Sequence, residues 1–431
     1  MKVNHLYLKN FRNVAEASYE LNPHFTVVIG INGKGKSTIL HALRVVCGTY
    51  LLSIPEVKSR HIDDDEIRFL SHGTFLSPQT PVVVEAKGSF RNELEQVTWR
   101  RRIPEGKNYT TSSSEDVGKV RDLGKSKFDK MRAGSDDLDL PVIAFFGTSR
   151  LHGAARDRIS RIGRQIFKEG YYRWNEMRSS VYGYDSWLTT YPALLSEGKE
   201  YPESKKAFWD ALLKAAPFIK KADFIGTELW IKVEIEDYIS EYLPIHLHSD
   251  GVKSFTEMVA ELAYRCIVLN GNKREGAVID TQGIVLIDEL DQHLHPNWQR
   301  RVVGDLKNAF PNLQFVATTH SPFIVQSLKR EELINLDTTE GEGLEKDPFY
   351  YGIEDVAEAE NLVKDIPRSE QFIEMVETAE QYYELIANGK ESKTDHETAK
   401  LREKLNEMEE RFSDDPAFVA LLKSERKAKT L

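Results

Sequence analysis

The chain has 431 residues, 40% of them hydrophobic and 29% charged, and a formal net charge of −10, which is enough apolar material for two or three compact units. The charge is uneven: residues 340–431 hold 24 acidic and 13 basic side chains, whereas residues 1–339 hold 44 and 45. A neutral body removes the argument from global charge for nucleic-acid binding, and no apolar run approaches the roughly 18 residues of a membrane helix.

The N-terminal "MKVNHLYLKNFRNV" alternates apolar and polar residues and reads as a strand, not a signal peptide. "FTVVI", Phe25 to Ile29, is a short β-branched run expected of a buried parallel strand. "VVIGINGKGKST" follows, in which Gly30, Gly35, Lys36 and Ser37 spell the loop whose backbone amides wrap a nucleotide's phosphates. Ile39, Leu40, Leu43 and Val46 then recur at helical spacing up to Gly48, so strand, loop and helix stand in the order this motif requires. Cys47 and Cys266 each sit in an apolar helical pattern and are expected to be buried thiols of a reducing cytoplasm, not zinc ligands.

"PVVVEAKGSF" and "EQVTWRRR" read as two strands joined as a hairpin-like addition to the sheet. Residues 104–139, rich in Gly, Ser, Lys and Asp, read as a flexible connection, and "LPVIAFFG" as a further strand. From Leu151 to Ser240 the pattern is helical, closing on one alternating strand, "ELWIKVEIED". The basic run Arg150, Arg156, Arg158, Arg161, Arg164 and Lys168 reads equally well as a solvated face or as a contact for nucleic acid or an acidic partner. A helix over Ser254–Leu269, the strand "GIVLIDE", a helix over Pro296–Phe310 and the strand "LQFVATTH" complete an alternating pattern that implies a parallel sheet covered by helices. Beyond Gly352 the chain reads as amphipathic helices: one capped by Ser369 and closed by Gly389, a second with Leu401, Leu405, Met408 and Phe412, and a third opened by Asp415 and Pro416.

Three elements carry chemistry. In the loop Asn32–Thr38 (Asn32, Gly33, Lys34, Gly35, Lys36, Ser37, Thr38), Lys36 is expected to reach the β- and γ-phosphates of ATP and the Ser37 hydroxyl to coordinate Mg²⁺. In "GIVLIDELDQHLHP", an apolar strand delivers Asp288 to hold the metal's water shell and Glu289 to polarise an attacking water. In "FVATTHSP", another apolar strand delivers His320, which can donate to the γ-phosphate. A metal site built on His293, His295 and His320 is disfavoured, because no partner spacing follows them.

Together, "LKNFRNV", the phosphate loop, "LHSDG", "DELDQHLHP" and "TTHSP" resemble an ABC-class ATPase of the RecF, SMC and OLD group. They are similar above all to the stand-alone ATPases of bacterial antiphage systems of the Septu PtuA kind. The resemblance implies an α/β fold: an ABC-type P-loop ATPase core with a mixed or parallel sheet, an inserted helical region and a C-terminal helical domain. The expected division is 1–150, 151–245, 246–339 and 340–431. It further implies that Arg12 contacts nucleotide and that Ser249 and Gly251 form a signature turn covering the γ-phosphate of a second subunit. Asp291 would lie where the two subunits' sites join. A homodimer, or a higher oligomer, would thus sandwich ATP. Compared with the family pattern, His248 replaces a leucine, and no coupling glutamine follows "VIAFFG", where Thr148, Ser149 and Arg150 stand. The chain has no C-x-x-C for a zinc hook, no heptad array for an SMC arm, and after "TTHSP" no pattern of an OLD nuclease domain. Hence a cytoplasmic ATPase regulating a separate effector, a nuclease above all, is expected, and the acidic tail 340–431 reads equally well as a surface for subunit or effector contacts or as a solvated cap on the core. A RecF-like DNA-binding ATPase of repair, or a scaffold that binds ATP and barely turns it over, are the competing readings.

Overall fold

The computed structural model describes residues 1–55, 57–135, 138–151, 166–176, 183–235, 238–338, 344–359, 370–387 and 396–411. The first strands are β1 (Lys2–Phe11), β2 (Val14–Glu20) and β3 (Phe25–Ile29), and β3 leads into helix α1 (Lys36–Cys47). A short hairpin, β4 (Phe69–His72) and β5 (Phe75–Pro78), precedes β6 (Val82–Phe90) and β7 (Leu94–Ile103). Helix α2 (Ser114–Arg132) and β8 (Val142–Phe146) come next. Helices α3 (Ile166–Gly170), α4 (Gly183–Ser196) and α5 (Pro202–Ala215) lead to β9 (Ile219–Ile225), β10 (Glu228–Ile235), β11 (Tyr238–Ile239) and β12 (Leu243–Pro244). Then follow α6 (Asp250–Asn270), β13 (Gly283–Ile287), α7 (Pro296–Gln299), α8 (Val302–Ala309), β14 (Leu313–Thr318), α9 (Pro322–Gln326), β15 (Leu333–Asn335) and α10 (Ile353–Ala359). Helices α11 (Glu370–Ala387) and α12 (His396–Arg411) end the described chain.

The core is a five-stranded sheet in the order β15-β3-β14-β13-β8, every pair parallel. All residues of β3, β8, β13 and β14 are buried, the condition under which parallel strands read as continuous apolar runs. Register puts Ile287 beside Ala317 and Phe146, and Ala317 beside Val27. The carboxyl ends of β3, β13, β14 and β8 therefore lie together, where sheets of this type bind ligands. The antiparallel sheet β2-β1-β6-β7 is separate, so the pair β6–β7 does not extend the parallel sheet as expected from sequence. Gln314, fully buried in β14, spans the two sheets: it accepts from Val3 N at 2.8 Å and donates to Val3 O at 2.7 Å. One amide side chain thereby satisfies both backbone groups of a residue on β1.

Three further expectations are corrected. Residues 114–132, read as part of a flexible connection, form α2: Ser113 caps it by accepting from Asp116 N, and Val117 and Val120 are buried. Its glycines misled the reading. A Cβ at Gly124 would stand 2.0 Å from Tyr50 O, so this glycine marks close packing and not a turn. "KAFWDALLKAAPFI" ends as a helix at Ala215, and Ile219 already belongs to β9, which forms a hairpin with β10 across Gly226 at φ 67°. The helix expected over Pro296–Phe310 breaks into α7 and α8, and at the break Trp298 stacks on Phe218 at 4.1 Å. In β10 the face Leu229, Ile231 and Val233 is buried, as the alternation implies.

The chain forms two compact units, Met1–Leu362 and Val363–Leu431. In the second, α11 and α12 pack together, Leu405 and Tyr382 are buried, and Lys404 pairs with Glu374 at 2.6 Å. The caps Ser369 and Gly389, the helix at Asp415, and Arg156 to Arg164 lie outside the described residues. Among the described residues no helix is long and apolar enough to cross a membrane.

Candidate nucleotide site

The loop between β3 and α1 faces a cleft of about 600 Å³. Asn32, Gly33, Gly35, Lys36, Ser37 and Thr38 line it from the loop, Arg12 and Asn13 from the β1–β2 turn, and Asp288, Glu289, Thr318 and His320 from the ends of β13 and β14. Lys36 is buried, and its ammonium donates to Gly30 O at 2.7 Å and Ile31 O at 3.3 Å. Burial lowers its pKa, while Asp337, Asp288, Glu289 and Asp291 pull the other way. The cation thus stands among carboxylates, a poor place for a bare phosphate and a good one for a phosphate accompanied by a metal ion.

Asp288 is buried at the end of β13, where its carboxylate accepts from Thr318 Oγ1 at 2.6 Å. Ser37 Oγ stands 3.4 Å from both carboxylate oxygens. A hydroxyl held equally far from both oxygens, beyond the usual O–H···O length, offers with them a set of hard oxygen donors that fits Mg²⁺. Glu289 is half-buried and has φ 50°, uncommon for a residue with a Cβ, and its N–H donates to Thr318 Oγ1 at 2.9 Å. A single threonine therefore holds both acids of the pair. His320 is exposed at the rim, and its turn is fixed by Asp291, which accepts from Thr319 Oγ1 at 2.5 Å and His320 N at 3.4 Å.

Sequence reasoning missed several supports. Asn13 donates to Gly33 O at 2.9 Å and accepts from Thr38 Oγ1 at 3.0 Å, tying the β1–β2 turn to both ends of the phosphate loop. Asp337, just past β15, accepts from Ile31 N and lies 3.5 Å from Lys34. Its signal was present in "LINLD", an apolar strand delivering an acid, as "LIDE" does. Gln292 donates to Thr148 O at 3.0 Å. A glutamine thus reaches the segment after β8 where the sequence itself supplies none.

Ser249 and Gly251 do not line this cleft. Ser249 is the exposed N-cap of α6, and its hydroxyl makes no capping hydrogen bond. Gly251 is buried so tightly against the segment after β13 that a Cβ there would stand 2.0 Å from His293 O. The turn is thereby locked to the DE segment of its own chain while its serine faces outward. No cluster of His, Cys, Asp and Glu able to hold a metal is found among the described residues.

Residues 25–326 match the family model described as "AAA domain, putative AbiEii toxin, Type IV TA system". The chain belongs to this family. It is 25% identical to the retron Vc95 probable ATPase of Vibrio cholerae serotype O1 biovar El Tor over 75% of this chain and 71% of that one. It is 43% identical to the Septu protein PtuA of Bacillus thuringiensis, over 19% of this chain and 20% of that one. A solved Smc head bound to the C-winged helix domain of ScpA is 17% identical, covers 76% of this chain and 93% of its own, and superposes with a TM-score of 0.45. The chain thus carries an AAA ATPase domain by family and is similar to a retron probable ATPase and to the Septu protein PtuA.

Proposed function

We propose that this protein is an Mg²⁺-dependent ATPase whose ATP-bound form is a head-to-tail dimer and which regulates a separate effector, a nuclease, in antiphage defence. The observation that supports this best is the convergence of Lys36, Ser37, Asp288, Glu289 and His320 on one cleft at the carboxyl edge of the parallel sheet. The loop amides and Lys36 bind the phosphates, with the positive end of α1 behind them. Ser37 and Asp288 would hold Mg²⁺, which would supply positive charge against that of the phosphates. Glu289 accepts the proton of the attacking water, His320 donates to the γ-phosphate, and Arg12 contacts the nucleotide from the opposite wall. In the dimer, Ser249 and the backbone at Gly251 complete the partner's site. The relatives named for retron and Septu systems support a defence role, and the acidic residues 340–431 are assigned as the contact surface for the effector.

The test compares phosphate release by the native chain and by Glu289→Gln at equal ATP occupancy. A fall of about 10²–10⁴-fold is the range expected for loss of a general base, with ATP binding retained. Equal, near-zero rates in both would leave only a scaffold that binds ATP.

A further inference from the structure

Behind the phosphate loop, one nitrogen of one histidine faces two incompatible partners. His41 lies on α1 on the same face as Ser37, four residues on. Its Nδ1 stands 3.0 Å from Nη1 of Arg12 and 2.9 Å from Oε1 of Glu66. A guanidinium only donates and a carboxylate only accepts, whereas an imidazole nitrogen carries either a lone pair or a proton. Nδ1 therefore serves one partner at a time. Bare, it accepts from Arg12 and holds the guanidinium against α1. Protonated, it donates to Glu66 and presents a hydrogen to Arg12, which is repelled.

The surroundings are fixed well enough for this choice to matter. Arg12 N donates to Glu66 O at 2.7 Å, and Phe11 bridges Ile67, so the turn bearing Arg12 and the segment bearing Glu66 move together. Glu66 is buried; its Oε2 accepts from Asp63 N at 3.0 Å and its Oε1 from Arg60 at 2.6 Å. Burial pushes the Glu66 carboxyl up, but His41, Asp63 N–H and Arg60 outweigh it and hold the group below the ordinary carboxylate range. It thus stays charged opposite the imidazole. Charged groups near the pair include Asp65, which lines the cleft with Arg12, Asp63, bonded to Arg60, and Arg44, which is turned away from the cleft towards Asn175. Arg12 itself lines the cleft with Lys36 and Ser37.

Resting on the nucleotide reading above, we propose that His41 and Glu66 are positioning residues for Arg12: Nδ1 of His41 either holds the guanidinium against α1 or, on donating to Glu66, releases it to the phosphates. An anionic nucleotide draws Arg12 away, and Nδ1 then takes up a proton from solution while Nε2 keeps its own, giving an imidazolium that the Glu66 carboxylate stabilises. By linkage, proton uptake on binding and tighter binding at lower pH are one effect.

Calorimetric titration of Mg-ATP into the Glu289→Gln chain, in buffers of different ionisation enthalpy and at a series of pH values, reads both quantities. The histidine chain is expected to take up part of a proton and to bind about 3- to 10-fold more tightly at the acid end, where full coupling would give tenfold per pH unit. His41→Asn, which places a non-titrating amide near Nδ1, serves as control for protons taken by the nucleotide itself, and should show the smaller uptake and the flatter slope. Arg12→Ala should bind more weakly and lose the same slope, and Glu66→Gln should reduce it. A slope and uptake in His41→Asn equal to those of the histidine chain would overturn the proposal. If His41→Asn does not melt as a folded protein, Arg12→Ala decides by the same criterion. Binding that is absent, or indifferent to Lys36→Ala, would instead defeat the nucleotide reading.

Discussion

The cleft around Lys36 and the turn at Ser249 belong to the same proposed reaction, yet they are built in opposite ways. In the cleft each polar group is held within the chain: Lys36 by carbonyls of its own loop, Asp288 and Glu289 by Thr318, the His320 turn by Asp291, and the loop itself by Asn13. At the turn, the Ser249 hydroxyl caps nothing and faces solvent, while the adjacent Gly251 is clamped against His293. The difference shows which half is self-sufficient. On the proposed reading, a hydrogen-bond network already in place would let the cleft bind phosphate without help, whereas a rigidly mounted hydroxyl with no capping role would serve another molecule.

The largest expected effect breaks the self-sufficient half alone. Lys36→Ala removes charge-assisted bonds to the phosphates, each worth about 1.5–3 kcal/mol, and should weaken ATP binding by at least about 100-fold, measured by equilibrium dialysis. Because the substitution also removes a buried cation, the melting temperature should hold or rise. Second comes the turn. Ser249→Ala should leave stability within about 0.5 kcal/mol and one-subunit ATP affinity unchanged, but, if the proposed contact to the partner's phosphate is charge-assisted, cut turnover about 10-fold or more and weaken the ATP-dependent dimer. Sedimentation of the Glu289→Gln chain with and without Ser249→Ala checks it; unchanged dimerisation together with unchanged turnover in the Ser249→Ala chain would assign the serine to an ordinary cap. Gly251→Ala separates mounting from chemistry: a Cβ against His293 O must displace backbone, so a loss of about 1–3 kcal/mol in stability accompanies any loss of turnover.

What the sequence made legible follows from how local each feature is. Strand, loop and helix at the phosphate site, and the apolar strands ending in Asp288 and His320, are contiguous patterns whose physics is complete within a few residues, and β3, α1, β13 and β14 lie where those patterns place them. Features decided by distant neighbours were lost. α2 was hidden because Gly124 is required by Tyr50, far away in the chain, and the break between α7 and α8 goes with Trp298 stacking on Phe218. The site's supports, Asn13, Thr318 and Asp337, lie in or after short local patterns, but which group each one braces is decided only where the fold brings them to the loop.

Asn13 gives the smallest expected effect and the finest cut, because it touches the loop from outside and needs no chemistry of its own. Asn13→Ala loses one donor to Gly33 O and one acceptor for Thr38, at about 0.5–1.5 kcal/mol each. The Gly33 carbonyl is exposed and can turn to water, while Thr38 is buried and must find another acceptor, so the loop should loosen at its helical end first. ATP affinity should fall about 5- to 10-fold, and the melting temperature by at most about 2–4 °C per kcal/mol in a unit of this size. Asn13→Asp keeps the acceptor for Thr38 but adds a negative charge beside the phosphates. If preorganisation of the loop governs binding, the aspartate should be no worse than the alanine in high salt, and worse in low salt, where screening is weak. Equal affinities for the two variants at both salt concentrations would show that the charge at this wall is not felt by the nucleotide, and that Asn13 braces a loop whose phosphates lie further off.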